Sequence, residues 1–119
     1  MAERARTVLV LERDADAAAE LLKVMEAHDY RVVGIAQTVA EARRIAAEQR
    51  PDVALLDPRS GAPGGEDLRL AVELERAGIG VVFLAPVLRP QNDTARGSWS
   101  EELLLHALDV AFRGRRSVD

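Results

Sequence analysis

Two short apolar runs in the sequence lead directly into charged side chains that could do chemistry together. The run TVLVL is followed by Glu12, Arg13 and Asp14, and the run VALL is followed by Asp57. Carboxylates gathered in one place can bind a divalent cation, accept a transferred group or act as a nucleophile. Because each acid follows a run of strand length, we expect these side chains at the ends of β-strands.

Short β-branched runs alternate with longer amphipathic stretches, and this alternation predicts the elements that position the acids. Asp14 is a natural helix cap, and Thr38-x-x-Glu41 has the pattern of a capping box. We predict strands at Thr7–Leu11, Arg31–Ala36, Val53–Leu56 and Val81–Ala85, and helices from Asp14 over Met25, from Thr38 to about Glu48, from about Glu66 to Ala77, and from Ser98 or Ser100 to about Arg113.

Continuous apolar strands that alternate with helices indicate a parallel sheet covered on both faces. The sequence therefore predicts an α/β fold, a doubly wound parallel sheet in a single domain over residues 1–119, with a core at about 7–113 and a frayed tail at 114–119. Functional groups of such sheets gather at the carboxyl ends of the strands. We expect Glu12 and Asp57 to be neighbours there.

This pattern resembles the receiver domain of response regulators in two-component signalling, the CheY-like family. The resemblance rests on the strand VALLD with its terminal acid, and on SWSEELL, which is similar to the family's Pro-Phe-Ser-x-Glu-Glu-Leu start of the last helix. Trp99 stands where Phe is usual. The resemblance covers Thr7 to about Ala85, resumes over Ser98–Arg113, and implies a flavodoxin-like fold.

The resemblance also implies a chemistry for the strand ends. Asp57 would be the phospho-acceptor, taking its phosphoryl group from a histidine kinase or a phosphotransfer protein. Mg²⁺ would be the cofactor, held by Glu12, Asp57 and the backbone of Arg59. Asp14 can either supply a further carboxylate, if its loop shifts, or cap the first helix.

Arg13 stands where the family carries its second acid, which leaves two alternatives. Its guanidinium can pair bidentately with the Asp57 carboxylate, which would keep that carboxylate ionised, depress its pKa and oppose Mg²⁺. Otherwise Arg13 points to solvent.

Other switch positions of the family are also altered. Ala85 stands where a Ser or Thr hydroxyl is usual, and Pro86 lacks the N–H that would follow it. Lys23 is the only lysine and lies in the first helix. The lysine position of the fifth strand is therefore occupied by Gly97 or, in another alignment, by Arg89. These departures predict an atypical receiver with weak, altered or absent switching.

The region between the fourth strand and the last helix is shorter than in the family, so the fourth helix and fifth strand are predicted to be truncated. The last helix has an apolar band wider than a core stripe. Such a band predicts a homodimer through this helix, with residues 86–97 either reaching across to the partner or folding back over their own helix. The interface candidates are Leu104, Leu105, Leu108 and Phe112.

Composition excludes several other classes of protein. The net charge of −4 argues against nucleic-acid binding, and the absence of cysteine excludes disulfides and thiolate sites. No apolar run is long enough to cross a membrane. We expect a cytoplasmic protein.

Two functions remain open on the sequence. The first is a single-domain response regulator of a phosphorelay, with Asp57 accepting phosphate or with a degenerate site. The second is a phosphorylation-independent module for protein interaction or dimerisation. We do not expect an enzyme, because no paired general acid, histidine base or complete metal set accompanies Asp57.

Overall fold

The computed structural model describes residues 6–57, 64–84 and 101–114 of the 119-residue chain. Strands and helices alternate as predicted, and their ends differ from the predicted ones by only a few residues. The predicted truncation after the fourth strand, the segment 86–97 and the tail beyond Gly114 lie outside the described residues. The elements are β1 (Arg6–Leu11), α1 (Ala15–Ala27), β2 (Tyr30–Ala36), α2 (Val39–Gln49), β3 (Val53–Leu56), α3 (Gly65–Arg76), β4 (Gly80–Phe83) and α4 (Glu101–Gly114).

The strands form one parallel sheet in the order β2-β1-β3-β4. β1 pairs with β2 on one side and with β3 on the other, and β3 pairs with β4. This is the strand order of a flavodoxin-like, doubly wound sheet. The predicted fold class is confirmed.

Side chains of successive strand residues point to opposite faces of the sheet, so the chain builds two cores. On β1, Val8 and Val10 face the core formed with α1 and α4, whereas Leu9 and Leu11 face the core formed with α2 and α3. All four side chains are at most 1% exposed. With both faces and both edges covered, β1 is one of the two interior strands of the sheet, together with β3.

Side-chain caps fix the points at which α1 and α2 begin. Asp14 Oδ1 accepts a hydrogen bond from the N–H of Asp16 at 2.9 Å, and Thr38 Oγ1 accepts one from the N–H of Glu41 at 3.0 Å. Both predicted caps are confirmed. The Glu41 carboxylate accepts from the N–H of Gln37 at 2.7 Å, one residue before the cap. α1 therefore begins directly after the charged residues that follow β1.

The buried carboxylate of Asp52 ties β1 to β3 at the amino-terminal edge of the sheet. Asp52 Oδ2 accepts from the N–H and the hydroxyl of Thr7 at 3.0 and 3.1 Å, and the N–H of Asp52 donates to Thr7 Oγ1 at 2.9 Å. Asp52 is 5% exposed, and a buried carboxylate needs such donors. Its role is structural, at the opposite end of β3 from Asp57.

The last helix packs through Leu104 and Leu108, which are 0% exposed in the core shared with α1. The prediction that these two residues form a dimer interface is therefore wrong, because side chains buried in their own domain cannot reach a second copy. Leu105 and Phe112 are partly buried against the same core. For these two residues the interface stays a prediction.

Arg6, at the start of β1, also contacts α4. Its guanidinium lies 4.4 Å from the centroid of the Phe112 ring and donates to Asp109 Oδ1 at 3.1 Å. An ion pair as exposed as this one contributes little to stability, whereas truncating a buried leucine costs about 2–5 kcal/mol. Leu104 and Leu108 therefore hold the helix on the sheet, and Arg6 helps to orient it.

Within residues 6–57, 64–84 and 101–114, no helix has the length and apolar character needed to cross a membrane.

Gly80 should be intolerant of a side chain because α4 approaches its backbone. A Cβ added there would lie 2.6 Å from the carbonyl oxygen of Ala111. We expect Gly80→Ala to lower the free energy of unfolding by about 1–3 kcal/mol in urea denaturation. Gly65→Ala is the matched control, because a Cβ at Gly65 meets nothing within 4 Å. Equal denaturation midpoints for the two variants would contradict the close approach.

The ion pairs of Asp109 should make stability depend on pH. Partial burial raises the pKa of Asp109, but hydrogen bonds from Arg113 and Arg6 outweigh it and hold that pKa below its ordinary value of 3.8. A carboxyl with a lowered folded-state pKa stabilises the fold above the unfolded pKa, and this stability is lost as the pH falls through the folded pKa. We expect Asp109→Asn to lower the thermal midpoint at about pH 7 and to lower it less at about pH 3.

Circular dichroism at both pH values measures this difference. Glu75→Gln removes an exposed acid of α3 and serves as the control, with no expected change at either pH. If Asp109→Asn lowers the thermal midpoint by the same amount at both pH values, the ion pairs of Asp109 are not the cause of the decrease.

Candidate functional site

Asp57 lies at the carboxyl end of β3, beside the point where the chain leaves β1. Its N–H donates to the carbonyl oxygen of Leu11, and the N–H of Glu12 donates to that of Ala36, both at 2.9 Å. These bonds extend the parallel ladders past the strand ends. They bring Glu12 and Asp57 to the same edge of the sheet, at the crevice between β1 and β3 where doubly wound folds bind their ligands.

The Glu12 side chain is 4% exposed and turned back beneath its own loop. Its Oε2 accepts a hydrogen bond from the N–H of Asp14 at 3.1 Å. A backbone donor stabilises a buried carboxylate and restricts its orientation. The Glu12 carboxyl group is therefore held in a fixed position at the edge that carries Asp57.

Asp14 caps α1, which is one of the two roles that the sequence allowed for it. Besides the bond from Asp16, its Oδ1 accepts from the N–H of Ala17 at 3.4 Å, and the residue is exposed. A move toward the crevice would leave these N–H groups at the start of α1 without their acceptor.

Arg13 takes a position that differs from both alternatives considered from the sequence. Its Nη1 donates to the main-chain carbonyl oxygen of Asp57 at 3.3 Å, and its Nη2 lies 3.7 Å from Oδ1 of Asp67. Its side chain is only 23% exposed, so it does not point to solvent. It reaches Asp57, as one alternative required, but the contact is to the backbone and the ion pair is with Asp67.

Asp67 is the residue of this site that the sequence reasoning missed. It lies in the first turn of α3, where its Oδ2 accepts from the N–H of Gly64 at 3.3 Å while Oδ1 faces Arg13. Its side chain is 11% exposed. The available signal was an acid at the third helical position, which commonly reaches back to the cap. Nothing local in the sequence connects it to Arg13.

An open cleft of about 530 Å³ adjoins this arrangement. It lies between the beginnings of α2 and α3, with the Arg13 side chain in its wall. Both helices begin at this cleft, so the positive ends of their dipoles lie beside it, and the acidic residues Glu66 and Asp67 in the first turn of α3 offset part of that charge. The cleft is lined by Arg13, Gln37, Thr38, Val39, Ala40 and Glu66.

Several residues predicted for the site lie outside the described residues, namely Arg59, Ala85, Pro86 and Gly97, as does Trp99. Their roles remain predictions. Lys23 lies on α1, as the sequence indicated, and it is exposed. His28 and His106 are exposed as well, and Nε2 of His28 lies 3.0 Å from a carboxylate oxygen of Glu101, away from Asp57.

The described ranges contain no group of three or more His, Cys, Asp or Glu side chains arranged to hold a metal ion. Three oxygens at this edge of the sheet serve other partners. Asp14 caps a helix, Glu12 accepts from a backbone N–H, and the Asp57 carbonyl accepts from Arg13.

Several solved structures with a similar architecture are receiver domains. The receiver domain of the PhyR response regulator of Erythrobacter litoralis superposes with a TM-score of 0.72 at 17% identity, over 97% of this chain and 95% of that one. The signal receiver domain of a modulated diguanylate cyclase from Desulfovibrio desulfuricans G20 gives 0.71 at 24% identity, over 92% and 95%. The chain therefore has the fold of response-regulator receiver domains.

Longer proteins match over part of their length. PhyR of Brucella abortus superposes with a TM-score of 0.69 at 18% identity, over 92% of this chain and 49% of that one. The chain thus spans about half the length of the longer PhyR chains that it matches. A scan of protein-family models and a search of curated proteins found no match to the sequence. At these identities the likeness concerns the fold.

The Arg13–Asp67 pair should couple the loop after β1 to the start of α3. Both side chains are mostly buried, so we expect a coupling free energy of about 1–2 kcal/mol, between the values for exposed and buried pairs. Urea denaturation of Arg13→Gln, Asp67→Asn and the double variant measures it as a double-mutant cycle. Glu66→Gln, in the same helical turn, replaces Asp67→Asn in the control cycle. Equal coupling in the two cycles would contradict a specific pair.

Proposed function

We propose that this chain is an atypical receiver of a two-component phosphorelay that accepts a phosphoryl group on Asp57. The observation that carries the proposal is the position of Asp57, directly after β3 and beside Glu12, at the crevice between β1 and β3. The receiver-like fold supports it. The donor would be the phosphohistidine of a histidine kinase or of a phosphotransfer protein.

The transfer is an exchange of one bond for another at phosphorus. A carboxylate oxygen of Asp57 attacks the phosphorus of the phosphohistidine, an O–P bond forms, and the N–P bond breaks with its electron pair left on the imidazole nitrogen. The product is an aspartyl phosphate. Such transfers depend on positioning and charge neutralisation more than on covalent help from the protein. Arg13 is a cation already at this edge.

The proposed receiver differs from its family in how it would respond to the phosphoryl group. Lys23 lies on the surface of α1, and the predicted alterations at Ala85, Pro86 and Gly97 remove further phosphoryl-sensing groups. The response would therefore pass through Arg13 and Asp67, toward α3. We propose a cytoplasmic regulator with no catalytic activity beyond its own phosphorylation.

A second candidate is a module that binds partners without phosphorylation. One observation favours it. The helix α4 carries two exposed apolar side chains, Leu103 at 47% and Val110 at 55%, and exposed apolar surface is typical of association sites. In this candidate, a homodimer through α4 would use the outward residues Leu103 and Val110 in place of the buried Leu104 and Leu108.

Labelling with acetyl phosphate separates the two candidates. We expect intact-mass spectrometry to find one added phosphoryl group on the wild type. Treatment with hydroxylamine should remove it, because an acyl phosphate is a mixed anhydride that hydroxylamine cleaves. Asp57→Asn should abolish the addition. Asp16→Asn removes an exposed carboxylate at the start of α1 and should label like the wild type.

Labelling that persists in Asp57→Asn would reject Asp57 as the acceptor. If the wild type is not labelled by acetyl phosphate or by a phosphorylated histidine phosphotransfer protein, the receiver function fails and the interaction module is favoured.

A further inference from the structure

Arg13 is held in the crevice from two sides. One guanidinium nitrogen donates to the Asp57 carbonyl oxygen at 3.3 Å, and another lies 3.7 Å from the Asp67 carboxylate. The side chain is 23% exposed, so most of it is removed from water. A guanidinium carries its charge at every physiological pH. A permanent positive charge is therefore built into the edge that carries Asp57.

Three oxygens around this charge already have other partners, which disfavours Mg²⁺ at this edge. This ion requires near-octahedral oxygen ligands and keeps several of its waters, so it needs both open oxygens and room. In the described residues the Asp57 carbonyl accepts from Arg13, Glu12 Oε2 accepts from a backbone N–H, and Asp14 caps α1. The adjoining guanidinium adds repulsion toward any divalent cation.

We propose that Arg13 is the resident cation of this site, in place of a divalent metal ion, and that Asp67 is the anchor that keeps it there. Arg13 then neutralises charge beside Asp57 whether or not Mg²⁺ is present. The part of the proposal that concerns phosphoryl transfer rests on the proposed function. The exclusion of divalent cations does not, and it can be measured on the unmodified protein.

Mn²⁺ titration followed by NMR tests the exclusion. Mn²⁺ is a paramagnetic substitute for Mg²⁺, so the backbone amide signals of Asp14 and Asp57 would broaden if it bound at this edge, while Thr7 and Asp52 at the opposite edge are the reference. In wild type we expect no selective broadening up to about 1 mM Mn²⁺. In Arg13→Asp we expect selective broadening with an affinity higher by about tenfold or more.

Two further variants control for net charge and for folding. Arg43→Asp makes the same charge change on the exposed surface of α2, where Arg43 pairs with Glu73, and should behave like wild type. Arg13→Gln removes the charge without adding a carboxylate and should give a smaller gain than Arg13→Asp. If Arg13→Asp does not fold, a gain in Arg13→Gln still supports the proposal and no gain overturns it. Selective binding of Mn²⁺ by wild type, or an equal gain in Arg43→Asp, would also overturn it.

Phosphoryl labelling separates this proposal from the function on which part of it rests. We expect the initial rate of labelling by acetyl phosphate in EDTA to be within about twofold of the rate in Mg²⁺. Labelling that requires Mg²⁺ would overturn the role of Arg13 while leaving Asp57 as the acceptor. No labelling in either buffer would contradict the receiver function, and the Mn²⁺ titration would then decide the role of Arg13 alone.

Discussion

The pairing of β1 on both of its edges is the constraint on which the rest of the molecule depends. Parallel ladders to β2 and β3 align the ends of these strands, and four buried side chains anchor helices on both faces of the sheet. The same ladders bring Glu12 next to Asp57, although β3 follows β1 only after two helices and another strand. The neighbouring positions of Glu12 and Asp57 are thus a direct product of strand register.

The strands and helices of this fold could be predicted because the sequence patterns that indicate them are local. Asp14 and Thr38 cap helices through N–H groups two and three residues ahead, so each cap can be read from a few neighbouring residues. Glu12 and Asp57 could also be placed, since parallel topology brings strand ends together. The partner of Arg13 could not be predicted, because Asp67 lies on α3, far from Arg13 along the chain, and no short sequence pattern indicates a contact between the two residues.

The wrong assignment on α4 has a related cause. Periodicity identifies which residues share a helical face, but α4 has apolar residues around much of its circumference, and the sheet covers only one side. The face with Leu104 and Leu108 packs against the sheet. Each leucine removed from water there stabilises the fold by roughly 1.5–3 kcal/mol. Leu103 and Val110 were left outside. Which face is buried is decided by packing against β4 and α1, and this information is not present in the helix alone.

A tethered cation and a diffusible one neutralise the same charge with different consequences. A bound metal ion can leave, so the charge beside Asp57 would follow the ion's concentration. Arg13 cannot leave, and its second contact transmits its position to the first turn of α3, where Asp67 also holds the N–H of Gly64. Any anion that formed on Asp57 would compete with Asp67 for the same guanidinium. The physical route from this site therefore leads to the start of α3, because that is where the resident charge is anchored.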